Sequence, residues 1–182
     1  VSRQEAPWLS DAAIVWAHAI LRSHQQAFGF PLLAGIGPSR DPRQIAQEMF
    51  AADTVLLAHD GGDPAGEPGP CLIYANRAAL RLWQRSWTAM VGMPSRLTAA
   101  PEERGSRARA LSRAHRCASI RDYSGVRIDS RGRRFQIRGA RIWTFGQENG
   151  EAGRGPGCLA PVGQAASFGD WYWLCGPETS SC

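Results

Sequence analysis

The sequence predicts an α+β domain: a five-stranded antiparallel sheet with helices on one face, preceded by an N-terminal helix. Five β-rich runs at 54–58, 71–75, 123–129, 133–145 and 163–174 fall into a group of two and a group of three. Several short helical segments, each opened by a capping residue or a proline, separate the groups. Turns or Gly/Pro-rich loops join the runs within each group. Strands in two blocks with helices between them describe a sheet covered by helices rather than a bundle or a barrel.

Ser10, with Asp11 behind it, opens the first helix, which runs to about Phe28 before Gly29. Ile14, Ala17, Leu21 and Gln25 mark one face at helical spacing. A Gly/Pro-rich joint follows at 31–39. A short helix then starts from Asp41 with Pro42 at its first position, and Ile45, Met49 and Phe50 form its apolar edge. The loop at 60–70 holds four Gly and three Pro, so the first two runs read as a hairpin with a long tip. Asn76 caps a helix to about Gln84 with Ala79, Leu80 and Trp83 at core spacing, and Ser86 caps a shorter one through Met90. Pro101 opens the next helix, with Glu102 and Glu103 at its positive end and Leu111 and Ala118 as its apolar anchors.

In the last three runs, Ser130-Arg131-Gly132 is a tight turn, with Gly132 free to adopt positive φ. Phe135, Ile137, Trp143 and Phe145 share a parity that Arg141 breaks, and Gly139 suggests a bulge. Tyr123 and Arg127 share a face opposite Val126 and Ile128. Either Tyr123 points inward with its hydroxyl paired, or that face is a polar docking surface. Residues 146–162, with five Gly and two Pro, read as a mobile insertion. The expected division is 1–40 as helix and linker, 41–174 as the domain, and 175–182 as a tail.

With 182 residues and 43% apolar composition, including seven Trp and six Phe, the chain can build one real core. The net charge is +5, yet all 21 basic residues are Arg, which reads as codon bias rather than a nucleic-acid footprint. The two Arg-rich segments, 104–116 and 127–141, read as a solvated helix face and a soluble hairpin. Cys71, Cys117, Cys158, Cys175 and Cys182 form neither a disulfide framework nor a metal pattern, so free thiols in a reducing compartment are expected. No run reaches membrane-span length and no signal peptide is visible. The chain starts at Val1 rather than Met, which points to sequence upstream. The expected location is intracellular, in the cytoplasm, or in a chloroplast if a transit peptide has been removed.

No G-x-S-x-G, Walker loop or H-E-x-x-H is present, and Ala34-Gly-Ile-Gly37 lacks the setting of a dinucleotide fold. His18 and His24 do not share a helical face, and His115 and Cys117 are badly spaced for a metal, so no metal site is expected.

Tyr74-Ala-Asn-Arg-Ala-Ala-Leu-Arg-Leu-Trp83, followed by Ser86-Trp87 and Gly92, resembles the PAS segment in which an Asn starts a helix after the second strand. A closer resemblance is to the MEKHLA domain. It is carried by Asn76-Arg-Ala-Ala-Leu80, Pro94-Ser-Arg-Leu-Thr98, Asp122-Tyr-Ser-Gly-Val-Arg-Ile128, Gly132-Arg-Arg-Phe135 and Gly163-Gln-Ala-Ala-x-Phe168, with Trp171 after it. The departures are the two low-complexity insertions, and the family's name-giving string is absent. The chain resembles the free-standing members of cyanobacteria and algae, having no homeodomain or heptad repeat. In plants the domain also ends class III homeodomain–leucine zipper regulators, where it governs association.

The resemblance implies a PAS-like five-stranded sheet and a cavity between helices and sheet. Its expected walls are Trp83, Tyr123, Phe135, Ile137, Trp143 and Phe168, with His59, Asn76 and Ser167 as polar candidates. The competing reading is that the Trp residues fill this space as core, and that His59 is a satisfied polar residue at a strand end. Covalent flavin chemistry is not expected, because the Asn-Cys-Arg-Phe setting is missing. Haem is not expected either, His115 being its one helical ligand candidate. Any cofactor is left unidentified. The expected function is a sensory or regulatory module, without catalysis, that binds a small ligand or a partner protein and dimerises through its first helix. The rivals are a small enzyme using His59 or Tyr123 as acid–base groups, and a purely structural dimerisation domain.

Overall fold

A computed structural model describes residues 6–37, 40–147 and 160–175, without the side chains at 115, 147 and 160–162. The expected element order is observed: α1 (Asp11–Phe28), α2 (Pro42–Ala51), β1 (Val55–Asp60), β2 (Leu72–Ala75), α3 (Arg77–Trp83), α4 (Trp87–Met90), α5 (Arg104–Cys117), β3 (Ser119–Ile128), β4 (Arg134–Gln147), β5 (Ala160–Phe168) and β6 (Asp170–Trp173). The sheet is antiparallel throughout, in the order β2-β1-β5-β4-β3, with β6 pairing to β4. The sixth strand comes from the last predicted run, which breaks at Gly169. Its register against β4 carries on across the break, with Arg141 opposite Ser167 and Arg138 opposite Asp170.

The caps form for the reason the sequence suggests: a side-chain oxygen accepts one of the N–H groups that the first helical turn leaves unpaired. Ser10 accepts from Ala13 N, Asp41 from Gln44 N, Asn76 from Ala79 N and Ser86 from Ala89 N. At the β3–β4 turn Asp129 Oδ1 accepts from Arg131 N at 2.9 Å and Arg133 N at 2.8 Å, and Gly132 adopts φ 79°. The 60–70 connection carries hydrogen bonds of its own, Asp60 Oδ1 accepting from Gly62 N and Cys71 N. The expected insertion at 146–162 is shorter than its composition suggests, because β4 runs through Gln147 and β5 starts at Ala160; 148–159 lie outside the described residues.

Helices α3–α5 cover one face of the sheet, and α1 turns back with α2 to cover the other. Ala17, Ile20, Leu21, Ile45 and Met49 meet Leu56, Ala58, Trp143, Phe145 and Ala165 on the α1 face. Leu82, Trp83 and Met90 meet Val55, Leu72, Phe135, Ile137 and Phe168 on the opposite face, where Leu111 and Ala114 of α5 add a smaller cluster with Ile142. The buried stripe of α1 includes Ala13, Ala17, Ile20, His24 and Phe28, while Ile14 is only half-buried and Gln25 is exposed. His24 and Phe28 stack edge-on to Trp143, which turns the helix slightly from the predicted face. In α5 the second anchor is Ala114, not Ala118, which is the left-handed C-cap at φ 63°.

Candidate functional site

The cavity lies between the α3–α5 face of the sheet and the helices. Its walls include Leu57, Leu72, Trp83, Ile137, Ile142 and Phe168, so most of its surface is hydrocarbon. The centre of a water-sized sphere can move through about 50 Å³, and the sphere itself sweeps a larger space, so the cavity holds several waters. Counted out to the mouth, the space is about 560 Å³. The smaller figure sets the size of what is enclosed.

Five of the nine sequence candidates face this space: His59, Trp83, Tyr123, Ile137 and Phe168. Trp83 hangs its ring from α3, and its Nε1–H donates to Thr98 O at 3.3 Å. The other four do not line it. Trp143 lies on the α1 face and donates from Nε1 to Ser23 Oγ at 3.0 Å. The cause is Gly139 at φ +61°, where one extra residue of β4 is accommodated between Ile137, opposite Gly125, and Ala140, opposite Tyr123. Alternation restarts there, so Ala140 and Ile142 face the cavity while Trp143 and Phe145 face α1. Ser167 precedes the inward Phe168, and neighbouring strand residues point to opposite faces, so it is buried away from the cavity. Phe135 packs behind the cavity wall, its ring 5.1 Å from that of Trp83.

Asn76 is consumed by structure. Its Oδ1 accepts from Leu56 N and Ala79 N, and its Nδ2 donates to Thr54 O at 2.7 Å and Ala52 O at 3.2 Å, with Met49 O at 3.4 Å. It ties the end of α2 to β1 and to the start of α3, with no donor left for a ligand.

The polar groups in the cavity wall are His59, Arg107, Tyr123, Arg127, Thr98 and Gln164. Tyr123 points inward with its hydroxyl paired: Arg127 Nη2 donates to it at 3.1 Å, and Arg127 Nη1 donates to Val126 O at 2.9 Å. Gly125 makes room for this pair, since a Cβ there would lie 2.8 Å from the Tyr123 hydroxyl and 3.1 Å from Arg127 Nη1. Gln164 Nε2 donates to Leu111 O at 2.9 Å and ties α5 to β5.

His59 Nδ1 lies 2.6 Å from Asp60 O, and a carbonyl only accepts, so the proton is on Nδ1. Its buried Nε2 has no partner among the described residues. Burial, then the charge of Arg107, lowers its pKa to about 4 against the opposing pull of the Asp60 carbonyl and the Asp60 carboxylate charge, so the ring is neutral at pH 7. Arg107 was not foreseen as a site residue. It sits 9% exposed in the cavity wall, and burial, then the charge of Arg127, lowers its pKa to about 9. The signal was its spacing: Arg107, Leu111 and Ala114 are one helical stripe, and the last two are core. Haem ligation by His115 rests on a side chain outside the described residues. Among the described residues no group of three His, Cys, Asp or Glu could hold a metal, and no helix is long and apolar enough to cross a membrane.

Fold and cavity together define a PAS-type domain. The PAS domain of a protein from Colwellia psychrerythraea superposes with a TM-score of 0.55 at 13% identity, covering 69% of this chain and 92% of that one. An RNA-binding light-oxygen-voltage receptor gives 0.52 at 17% identity, covering 80% of this chain but only 36% of the receptor. The MEKHLA domain model matches residues 14–173, and the chain belongs to that family. No curated protein matches.

Proposed function

We propose that this chain is a sensory or regulatory module that takes up a small molecule between α3, α5 and the sheet, without catalytic chemistry of its own. The observation that carries this is the cavity itself: an apolar space beneath Trp83 into which a few placed polar groups converge, the usual build of a small-molecule site. Trp residues filling the whole interior as core would leave no such space.

The enzyme reading needs His59 beside a carboxylate. Among the described residues no Asp or Glu lines the cavity; His59 donates to the backbone carbonyl of Asp60, whose carboxylate acts on the ring only as a charge and makes no hydrogen bond to it. The enclosed space suits a ligand far smaller than a flavin or a haem.

The test is a binding screen on purified protein, read by native mass spectrometry and by the NMR signal of the Trp83 indole N–H. A ligand of this cavity shifts that signal in the native chain and leaves it unmoved in Ala166→Met, whose side chain fills the space from β5. Ligands that bind both forms equally would place recognition elsewhere and end this reading.

A further inference from the structure

The cavity holds more positive charge than the protein answers. Arg107 makes no hydrogen bond or ion pair among the described residues, and the charged group beside it is another cation, Arg127. Among the described residues no carboxylate lines the space, while buried charges in folded proteins are paired or bind an ion. Arg127 is itself 6% exposed and is held in place by Tyr123 and its own backbone, so the site is preformed rather than a loose surface pair. A third polar group, the unpartnered Nε2 of His59, lies in the same wall.

We propose that the ligand of this cavity is a small organic carboxylate: its anionic end lies between Arg107 and Arg127, and its hydrocarbon part against Trp83, Leu72, Ile137 and Phe168. The assignment rests on the reading of the cavity as a ligand site and names the chemistry of that ligand. A guanidinium presents its N–H groups in a planar fork that matches a carboxylate, and five such donors on Arg107 have no partner among the described residues. The apolar walls exclude a fully hydrated ion, and the enclosed volume limits the hydrocarbon part to a short chain or a single ring. Burial first, and the charge of Arg127 second, disfavour the charged form of Arg107, and an anion in the cavity would offset both. His59 Nε2 accepts from a ligand hydroxyl in its neutral form.

The experiment is calorimetric titration and thermal shift of the full chain with butyrate, benzoate and phenylacetate, with the corresponding neutral amides, and with inorganic phosphate. At least one carboxylate is expected to bind and raise the melting temperature, its amide binding about tenfold more weakly or worse. Arg107→Met and Arg127→Met are each expected to lower carboxylate affinity by about tenfold or more, and Arg107→Lys to retain part of it. Ligand-free Arg107→Met is expected to melt no lower than the native chain, because it removes an uncompensated buried charge, so loss of binding is separable from loss of fold. Amides that bind as tightly as acids, or an Arg107→Met chain with unchanged affinity, would overturn the carboxylate assignment while leaving the ligand site standing. Binding of inorganic phosphate alone would overturn it too. If neither acids nor amides bind, the cavity reading falls with it.

Discussion

Asn76→Ala removes one amide and leaves five backbone groups without this partner: the N–H of Leu56 and Ala79, and the carbonyls of Thr54, Ala52 and, more distantly, Met49. Loss of a helix cap costs about 1 kcal/mol, and each buried backbone group left unmade costs roughly 1–3 kcal/mol where water cannot reach it. Asn76 is fully buried, so Leu56 N bears the larger penalty, and the carbonyls at the end of α2 recover part of theirs by hydration. The expected loss is about 4 kcal/mol, or a fall in melting temperature of roughly 8–16 °C for a domain of this size. Urea unfolding followed by Trp fluorescence measures it, with the slope against urea unchanged. Asn76→Asp sharpens the test. The carboxylate keeps the acceptor but turns an oxygen toward the Thr54 and Ala52 carbonyls, so it is expected to be at least as damaging at pH 7 as alanine. Its deficit relative to the native chain should shrink in acid, as the carboxyl takes up a proton and donates again. A loss below about 1 kcal/mol for both variants would refute the account of Asn76 as the tie between α2, β1 and α3.

Acid should weaken the fold before carboxylates titrate. His59 falls from an ordinary 6.5 to about 4 on folding, so the unfolded chain binds the extra proton between those values; stability is whole above pH 6.5 and falls by about 3 kcal/mol as pH drops to 4. His24, lowered to about 4 by burial and the charges of Arg141 and Arg121, adds a smaller loss of the same sign, and His59→Gln should flatten a plot of urea midpoint against pH. Gly163→Ala places a Cβ 2.1 Å from His59 O, a clash with backbone that cannot swing away; a loss of about 2–3 kcal/mol by urea unfolding is expected, and a change under half of that would show that β1 and β5 can separate freely. Ser23→Ala leaves the buried Trp143 N–H unpaired, lowering stability by about 1–2 kcal/mol and leaving carboxylate affinity unchanged, since both residues lie on the α1 face; a change in affinity would put Trp143 back in the cavity wall.

The features legible in the sequence are those decided within a few residues. Ser10, Asp41, Asn76 and Ser86 cap helices because a side chain reaches a backbone N–H three positions on, and Gly132 turns a hairpin because it tolerates positive φ. The faces of the long strands were not legible. Gly139 was visible as a bulge, but whether the residues beyond it keep or reverse their parity depends on which strand takes the extra residue. Asp122, at φ 57°, marks a second irregularity, on β3, that no local pattern announces. Adjacent Ser167 and Phe168 never fit one face of a flat strand, and that contradiction was readable from the alternation rule alone. Arg107 was hidden for another reason. Its helical spacing with Leu111 and Ala114 is the one signal, and among seven other charged or polar residues of the same helix that stripe stands out only once the sheet beneath shows Ala114 to be core.

The two faces of the sheet divide the physical work. On the α1 face the packing is aromatic and closed, with Trp143 hydrogen-bonded and Phe145, Ile20 and Leu21 fully buried. On the other face α5 rests on the smallest of the three clusters, Leu111 and Ala114 on Ile142, and accepts a side-chain hydrogen bond from Gln164 at Leu111 O. That helix also carries Arg107 toward Arg127 across an apolar space, a like-charge contact that opposes its docking. An anion in the cavity would reverse the sign of this contribution, and a ligand shifts a structure only by the difference in its affinity for two states. Its binding free energy would therefore fall on a helix with a small apolar hold of its own, while the α1 face kept the fold intact. A sensor needs that separation: a rigid side that preserves the site when it is empty, and a cover whose hold depends on the occupant.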